Sequence, residues 1–243
     1  MTAQTTPARD GQRGRRKTAK SRQTFERLLQ AAEALFREKG FEATTMRDLS
    51  RAGGLGLGAM YYYFSSKEEL VLLFCEKLNR RVVEEFQASK DMAKPLPEAL
   101  AAFLELKLRV MSPHRALLRV VLKEAMDPDS PLHPLNPASK ETLAISLGLF
   151  QELVDRGGFP EDGPKGQLAR GLWAAHMLVI VYWLQDRSPD QQETRKVIKT
   201  LRDALGWMSA SRWIPGVGIL RRKVLSHVSS LVPDRFPEGT ASR

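Results

Sequence analysis

A single cysteine, Cys75, stands in 243 residues. One thiol can close no internal disulfide and cannot build a cysteine zinc site, so packing must hold the fold. Set in an apolar helical run, it reads as a buried, inert thiol. The four histidines (114, 133, 176 and 227) show no metal-ligand spacing, and neither His-x-x-x-His nor Gly-x-Ser-x-Gly occurs. No catalytic residue, no metal and no cofactor is therefore expected, and an enzyme is the least favoured class. The longest unbroken apolar run, Met177 to Leu184, falls far short of the ~20 residues that span a bilayer. The N-terminus lacks the apolar core of a signal peptide. No membrane association and a cytoplasmic location are the expectations. Strand-like alternation and internal repeats are missing too, which leaves an all-α fold.

Hydrophobic residues make up 42% and charged residues 27%, an ordinary globular balance. The net charge of +10 is unevenly placed. Residues 1–22 hold seven Lys/Arg against one Asp, and residues 212–243 hold six against two. Residues 23–70 are nearly neutral, with six basic and seven acidic groups. Residues 1–20, without apolar periodicity, read as a disordered basic arm. Its Arg13, Arg15, Arg16, Lys17 and Lys20, with Arg22 beyond, suit phosphate or minor-groove contacts.

From Arg22 to Lys39, Phe25, Leu28, Leu29, Ala32, Leu35 and Phe36 recur at helical spacing, and Gly40 stops the helix. Thr45 then caps a short helix, with Asp48 three residues on completing a capping box. Gly53-Gly54 ends it, and a second short helix runs from about Leu57 through Tyr63. Ser66 caps the next helix, with Glu69 as the reciprocal partner. Two short helices about a glycine turn make a helix-turn-helix, whose second helix fits the major groove of DNA. The run Gly54-Leu-Gly-Leu-Gly-Ala59 also fits a dinucleotide fingerprint, but the helix before it excludes the strand that motif requires.

The run Thr45…Arg47-Asp48-Leu49…Gly54-Leu55-Gly56…Gly58…Met60-Tyr61…Tyr63-Phe64…Ser66-Lys67-Glu68…Leu70 resembles the DNA-binding domain of the TetR family of bacterial regulators. Ala31-Ala32…Leu35-Phe36…Gly40-Phe41…Thr44 extends the likeness upstream. Gly56 departs from it, standing where the family usually has a capping Ser or Thr; glycine is a weaker cap by a few tenths of a kcal/mol. The resemblance implies a regulator, most simply a repressor, that binds a palindromic operator as a homodimer and is released by a small molecule. It implies DNA-facing positions at Thr45, Arg47, Gly56, Leu57, Gly58, Ala59, Tyr61, Tyr62 and Lys67. Chemistry says what each offers. A guanidinium at Arg47 can bond guanine twice, and Leu57 and Ala59 suit thymine methyl groups. Tyr61 and Tyr62 can touch phosphate or a base edge, and Thr45 and Lys67 sit at helix N-termini that favour phosphate. Tyr63 and Phe64 are expected in the small domain's core.

Domain boundaries are placed at 21–68 for the helix-turn-helix domain and 69–211 for a larger helical ligand-binding and dimerisation domain. Residues 212–243 form a C-terminal extension with a short helix from Arg221 to Leu231. Helices are expected over 67–88, from Pro97, from Pro113, over 138–155, 166–185 and 190–209, with a proline-rich loop from Asp127 to Pro137. The last two supply apolar surface for a dimeric four-helix bundle. Phe103, Lys107, Met111, Leu118, Leu122, Leu147, Phe150, Trp173 and Met177 are candidates to line a greasy pocket. There Lys107 could meet the acidic head group of a fatty acid or acyl thioester, and His176 reads as a satisfied core or interface histidine. The alternative is a DNA-binding protein without an effector, for which a dry, fully packed core is expected.

Overall fold

The computed structural model describes residues 10–157 and 166–210, together with Ser226 and Val232. The C-terminal extension and the first nine residues otherwise lie outside the described residues, as does the helix expected over 221–231. Nine α-helices and no strand occur among the described residues: α1 Asp10–Lys39, α2 Met46–Ala52, α3 Leu57–Tyr63, α4 Lys67–Gln87, α5 Leu96–Met111, α6 Arg115–Ala125, α7 Lys140–Arg156, α8 Gln167–Gln185 and α9 Gln192–Ala210. The chain divides into two compact units, Met1–Leu70 and Val71–Arg243.

In the first unit α1 packs on α2, and α2 on α3. Leu28, Ala32 and Phe36 of α1 are buried, with Leu49, Met60 and Phe64. The α1 helix starts at Asp10, twelve residues before the expected Arg22, so the reading of residues 10–20 as disordered is corrected. Gln, Arg, Lys and Ala propagate a helix well once packed turns downstream have nucleated it. Apolar periodicity is blind to such a polar extension. Gly40, with φ of +85°, ends α1 in the left-handed region. Thr45 and Asp48 form the expected box: the Thr45 hydroxyl accepts from the Asp48 N–H, and Asp48 Oδ2 accepts from the Thr45 N–H. Lys39 also pairs with that carboxylate.

The second cap differs from expectation. Ser66 Oγ accepts from the Glu69 N–H, but Glu69 reaches back to the N–H and hydroxyl of Ser65 rather than to Ser66. Those bonds hold the Glu69 carboxyl below its ordinary pKa.

In the second unit α5 packs on α7, α8 and α9, while α7 and α6 both pack on α8. Pro97 sits in the first turn of α5, where its missing N–H costs no helical bond. Phe86, Phe103, Phe150 and His176 stack around α5 at ring separations of 5.3–6.1 Å. The α8–α9 corner is tied by Asp186, whose carboxylate accepts from the N–H and hydroxyl of both Ser188 and Thr194. Those four bonds hold its pKa far below the usual carboxylate range. Arg115 and Arg119 of α6 donate to the last carbonyls of α8, at Trp183 and Leu184. A cation at a helix C-terminus opposes the negative end of the dipole.

Candidate DNA-reading head and ligand cavity

The glycine turn before α3 depends on two special positions. Gly54 has φ of +66°, which an L side chain adopts only at a cost. Gly53 lies so close to α1 that an added Cβ would sit 2.5 Å from Leu28 Cδ2. Met60 then anchors α3 with no exposed surface, and Phe64 closes beneath it. The opposite side of α3 stands open: Gly58, Ala59, Tyr61 and Tyr62 are exposed and Leu57 is half-buried. Gly56 caps the helix without any side-chain bond, and neither it nor Gly58 has an atom within 4 Å of where a Cβ would stand. Arg47, on α2, is exposed as well.

One expectation for this head needs correction. Tyr63 is 49% exposed, not a core residue; its ring packs edge-on to Tyr62 at 5.4 Å. On so short a helix, Met60 and Phe64 already fill the inward side. The Lys67 ammonium donates to the carbonyls of Phe41 and Glu42, at 2.7 and 3.2 Å, and lies over the Phe41 ring. From the start of α4 it braces the α1–α2 turn. The Thr45 hydroxyl makes the cap expected of it. Arg15, Arg16 and Lys17 fall on helical backbone in α1, with side chains outside the described residues.

The second unit contains a cavity of about 300 Å³, at the small end of ligand-site sizes. Six of the nine expected residues line it: Lys107, Met111, Leu118, Leu122, Trp173 and Met177. Phe103, Leu147 and Phe150 do not. Phe103 and Phe150 are consumed in the aromatic core, at 1% and 0% exposure, and Leu147 is half-buried, one residue past Ser146, the last lining position of α7. Three lining groups are not apparent from the sequence. One is a wall from α4, with Leu72, Cys75, Leu78, Asn79 and Val82; another is the turn at Leu132–Pro134; the third is Thr142, Leu143 and Ser146 of α7. The signal that could have found the first is Asn79, a polar residue at helical spacing on the face shared by Leu72, Cys75 and Val82.

Polar groups thread this cavity. Lys107 Nζ donates to Asn79 Oδ1 at 3.1 Å, and Asn79 Nδ2 donates to Ser146 Oγ at 3.0 Å. Burial pushes the Lys107 ammonium down to about 8, partly countered by Cys75. Burial likewise pushes the Cys75 thiol up to about 12, against the pull of Lys107. His176 is 1% exposed. Its Nδ1 sits 3.1 Å from the Trp173 carbonyl, while its Nε2 has no hydrogen-bond partner among the described residues. The expectation of a satisfied histidine is thus half wrong. Burial, then the Lys107 charge, hold the ring neutral, well below its ordinary pKa.

A glycine-turn helix pair with its second helix open to solvent, in a chain that also carries a helical unit with a cavity, defines a helix-turn-helix regulator architecture. The family of bacterial regulatory proteins named after TetR matches residues 28–73, and the tetracyclin repressor-like C-terminal domain matches residues 99–205, together more than half of the chain. The chain belongs to the TetR family. It is 30% identical over 107 residues to the HTH-type transcriptional regulator YerO of Bacillus subtilis, covering 43% of this chain and 37% of that protein. It is 27% identical over 137 residues to the repressor KstR2 of Mycolicibacterium smegmatis, covering 56% and 67%. The match thus spans little more than a third of YerO. A TetR-family regulator structure from Syntrophomonas wolfei overlays with a TM-score of 0.63 at 18% identity, over 76% of this chain and 95% of that one. The fatty acid degradation regulator FadR of Bacillus halodurans gives 0.60 at 18%, over 74% and 94%. FadR of B. subtilis, solved with stearoyl-CoA, gives 0.57 at 18%, over 73% and 97%. Among the described residues no helix is long and apolar enough to cross a membrane.

Proposed function

We propose that two copies of this chain bind a near-palindromic duplex through α3, repress transcription there, and let go when a small lipophilic molecule enters the cavity. The observation that carries the reading is the division of labour on α3. Met60 is wholly buried, while Gly58, Ala59, Tyr61 and Tyr62 present an unobstructed outward side. A side with so few polar readers draws affinity from phosphates and part of its specificity from DNA shape. Arg47 adds one base-reading guanidinium, and the basic start of α1, with Arg15, Arg16 and Lys17, adds phosphate contacts.

For pairing, α8 exposes Leu178 and Tyr182, at 70% and 44%, and α9 exposes Trp207 at 62%. Large apolar side chains left in water support a symmetric interface built on these two helices. An effector-independent protein would want a dry, filled interior, so the cavity favours the ligand-released reading. The FadR structures solved with stearoyl-CoA and lauroyl-CoA support a ligand with an acyl chain. No catalytic role is assigned.

Selecting bound duplexes from a random pool with the full chain tests the reading, and should return near-palindromes bound by two chains. Replacing Arg15, Arg16 and Lys17 by Gln should lower the salt slope of log affinity by roughly 0.9 for each phosphate these side chains neutralise. An unchanged slope removes α1's start from the interface.

A further inference from the structure

Among the cavity's polar groups, most are already answered. Asn79 is bonded on both sides, to Lys107 and Ser146, and Ser139 Oγ donates to the Pro131 carbonyl. His133 Nδ1 accepts from the Leu135 N–H. Two groups remain unanswered. Lys107, 7% exposed, carries a positive charge with three donors and gives one bond, to a neutral amide oxygen. No carboxylate forms an ion pair with it among the described residues, and no Asp or Glu lines the cavity. A buried charge without a counter-charge is costly unless a partner arrives.

His176 supplies the second. With Nδ1–H donating to the Trp173 carbonyl, the neutral ring leaves Nε2 as a bare acceptor, unmatched and buried. Lys107 and His176 flank the same Phe103 ring, the ammonium 5.7 Å and the imidazole 6.1 Å from its centroid. They are close enough that the Lys107 charge depresses the histidine. The cavity therefore offers a cationic donor and an acceptor that both adjoin the Phe103 ring, and the remaining walls on α6 and α8 are apolar.

We infer that the effector is an amphipathic free carboxylic acid, bound with its carboxyl group between Lys107 and His176 and its hydrocarbon tail along α6 and α8. One carboxyl oxygen accepts from the ammonium. The other is bridged to His176 Nε2 by one proton taken up from solvent together with the carboxylate. An ester or thioester carbonyl can answer Lys107 but brings no negative charge and no second oxygen able to hold a proton for Nε2. The inference rests on the proposed function and narrows its ligand: the acid itself, rather than its coenzyme A thioester.

The test compares decanoate, methyl decanoate and decanoyl-CoA on the full chain, by isothermal titration and by release of the selected duplex. Decanoate should bind roughly tenfold to a hundredfold more tightly than the methyl ester, as expected for a charged hydrogen bond in a buried site. Lys107→Met should erase that preference, costing decanoate far more affinity than the ester, and His176→Leu should reduce it. Circular dichroism checks that each variant folds, and either folded variant suffices. Equal or tighter binding of ester or thioester overturns the inference, as does a preference for the acid that survives both substitutions. If the ester releases DNA as well as the acid, the ligand-released reading stands and only the carboxyl assignment falls. If none of the three binds, both fall.

Discussion

Lys107 and Cys75 line the same cavity with opposite titration habits. Lys107 keeps a value near 8 when folded against an ordinary 10.5. The unfolded chain therefore holds a proton that the native state has lost, and stability contributed by this residue rises between about pH 8 and 10.5. Cys75, raised from 9.0 to about 12, acts the other way: stability falls as pH climbs through that window. Between pH 9 and 10.5 the two oppose. In Cys75→Ala, urea denaturation should reveal the Lys107 rise alone. Lys107→Met should be more stable than the parent at neutral pH by about 1–3 kcal/mol, since an apolar isostere removes an unpaired buried charge. A less stable variant would show that Lys107 is already compensated. Retaining such a residue at a cost in stability is the usual mark of a functional site.

Elements α2 and α3 stand on local chemistry that can be changed one atom group at a time. Thr45→Ala removes the α2 cap and should cost about 0.5–2 kcal/mol in denaturant unfolding. Gly53→Ala forces a Cβ against Leu28 and the Leu49 carbonyl, and should cost about 1–3 kcal/mol. Gly56→Ser points the other way. Its φ of −67° and open surroundings accept a side chain, so a gain of roughly 0.5–1 kcal/mol is expected. The Thr45–Asp48 box, the glycine turn and the inward Met60 are legible in the sequence because each is set by neighbours within a few residues. Tyr63, Lys67 and Glu69 escape sequence reasoning for the complementary reason. Which side of a short helix is inward, or which distant carbonyl an ammonium finds, is decided by tertiary packing. The early start of α1 is hidden because its residues are helix formers without an apolar stripe.

At the scale of the molecule, helix order follows from proline and glycine punctuation, while the cavity does not. Lys107, Met111 and Trp173 can be placed because large or polar side chains interrupt apolar helices. The α4 wall escapes notice because Cys75 and Asn79 sit in a helix whose apolar stripe looks like plain core. Phe103 and Phe150 are overassigned because periodicity cannot tell a ring facing a void from one facing another ring. Assembly is the remaining level. Leu178→Glu places a charge in the exposed apolar surface of α8. It should shift the chain from dimer to monomer in sedimentation and abolish tight operator binding while leaving helix content intact. A monomer that still binds the full site would contradict pairing through α8 and α9.

The most direct measurement is fluorescence anisotropy of the selected duplex titrated with the full chain at low salt, run beside Tyr62→Ala. The account predicts saturation at two chains per duplex and weaker binding by the variant, which should fold normally because the Tyr62 side chain is 84% exposed. A chain that binds no duplex, or a Tyr62→Ala variant that binds as tightly as the parent, would contradict α3 as the reading helix.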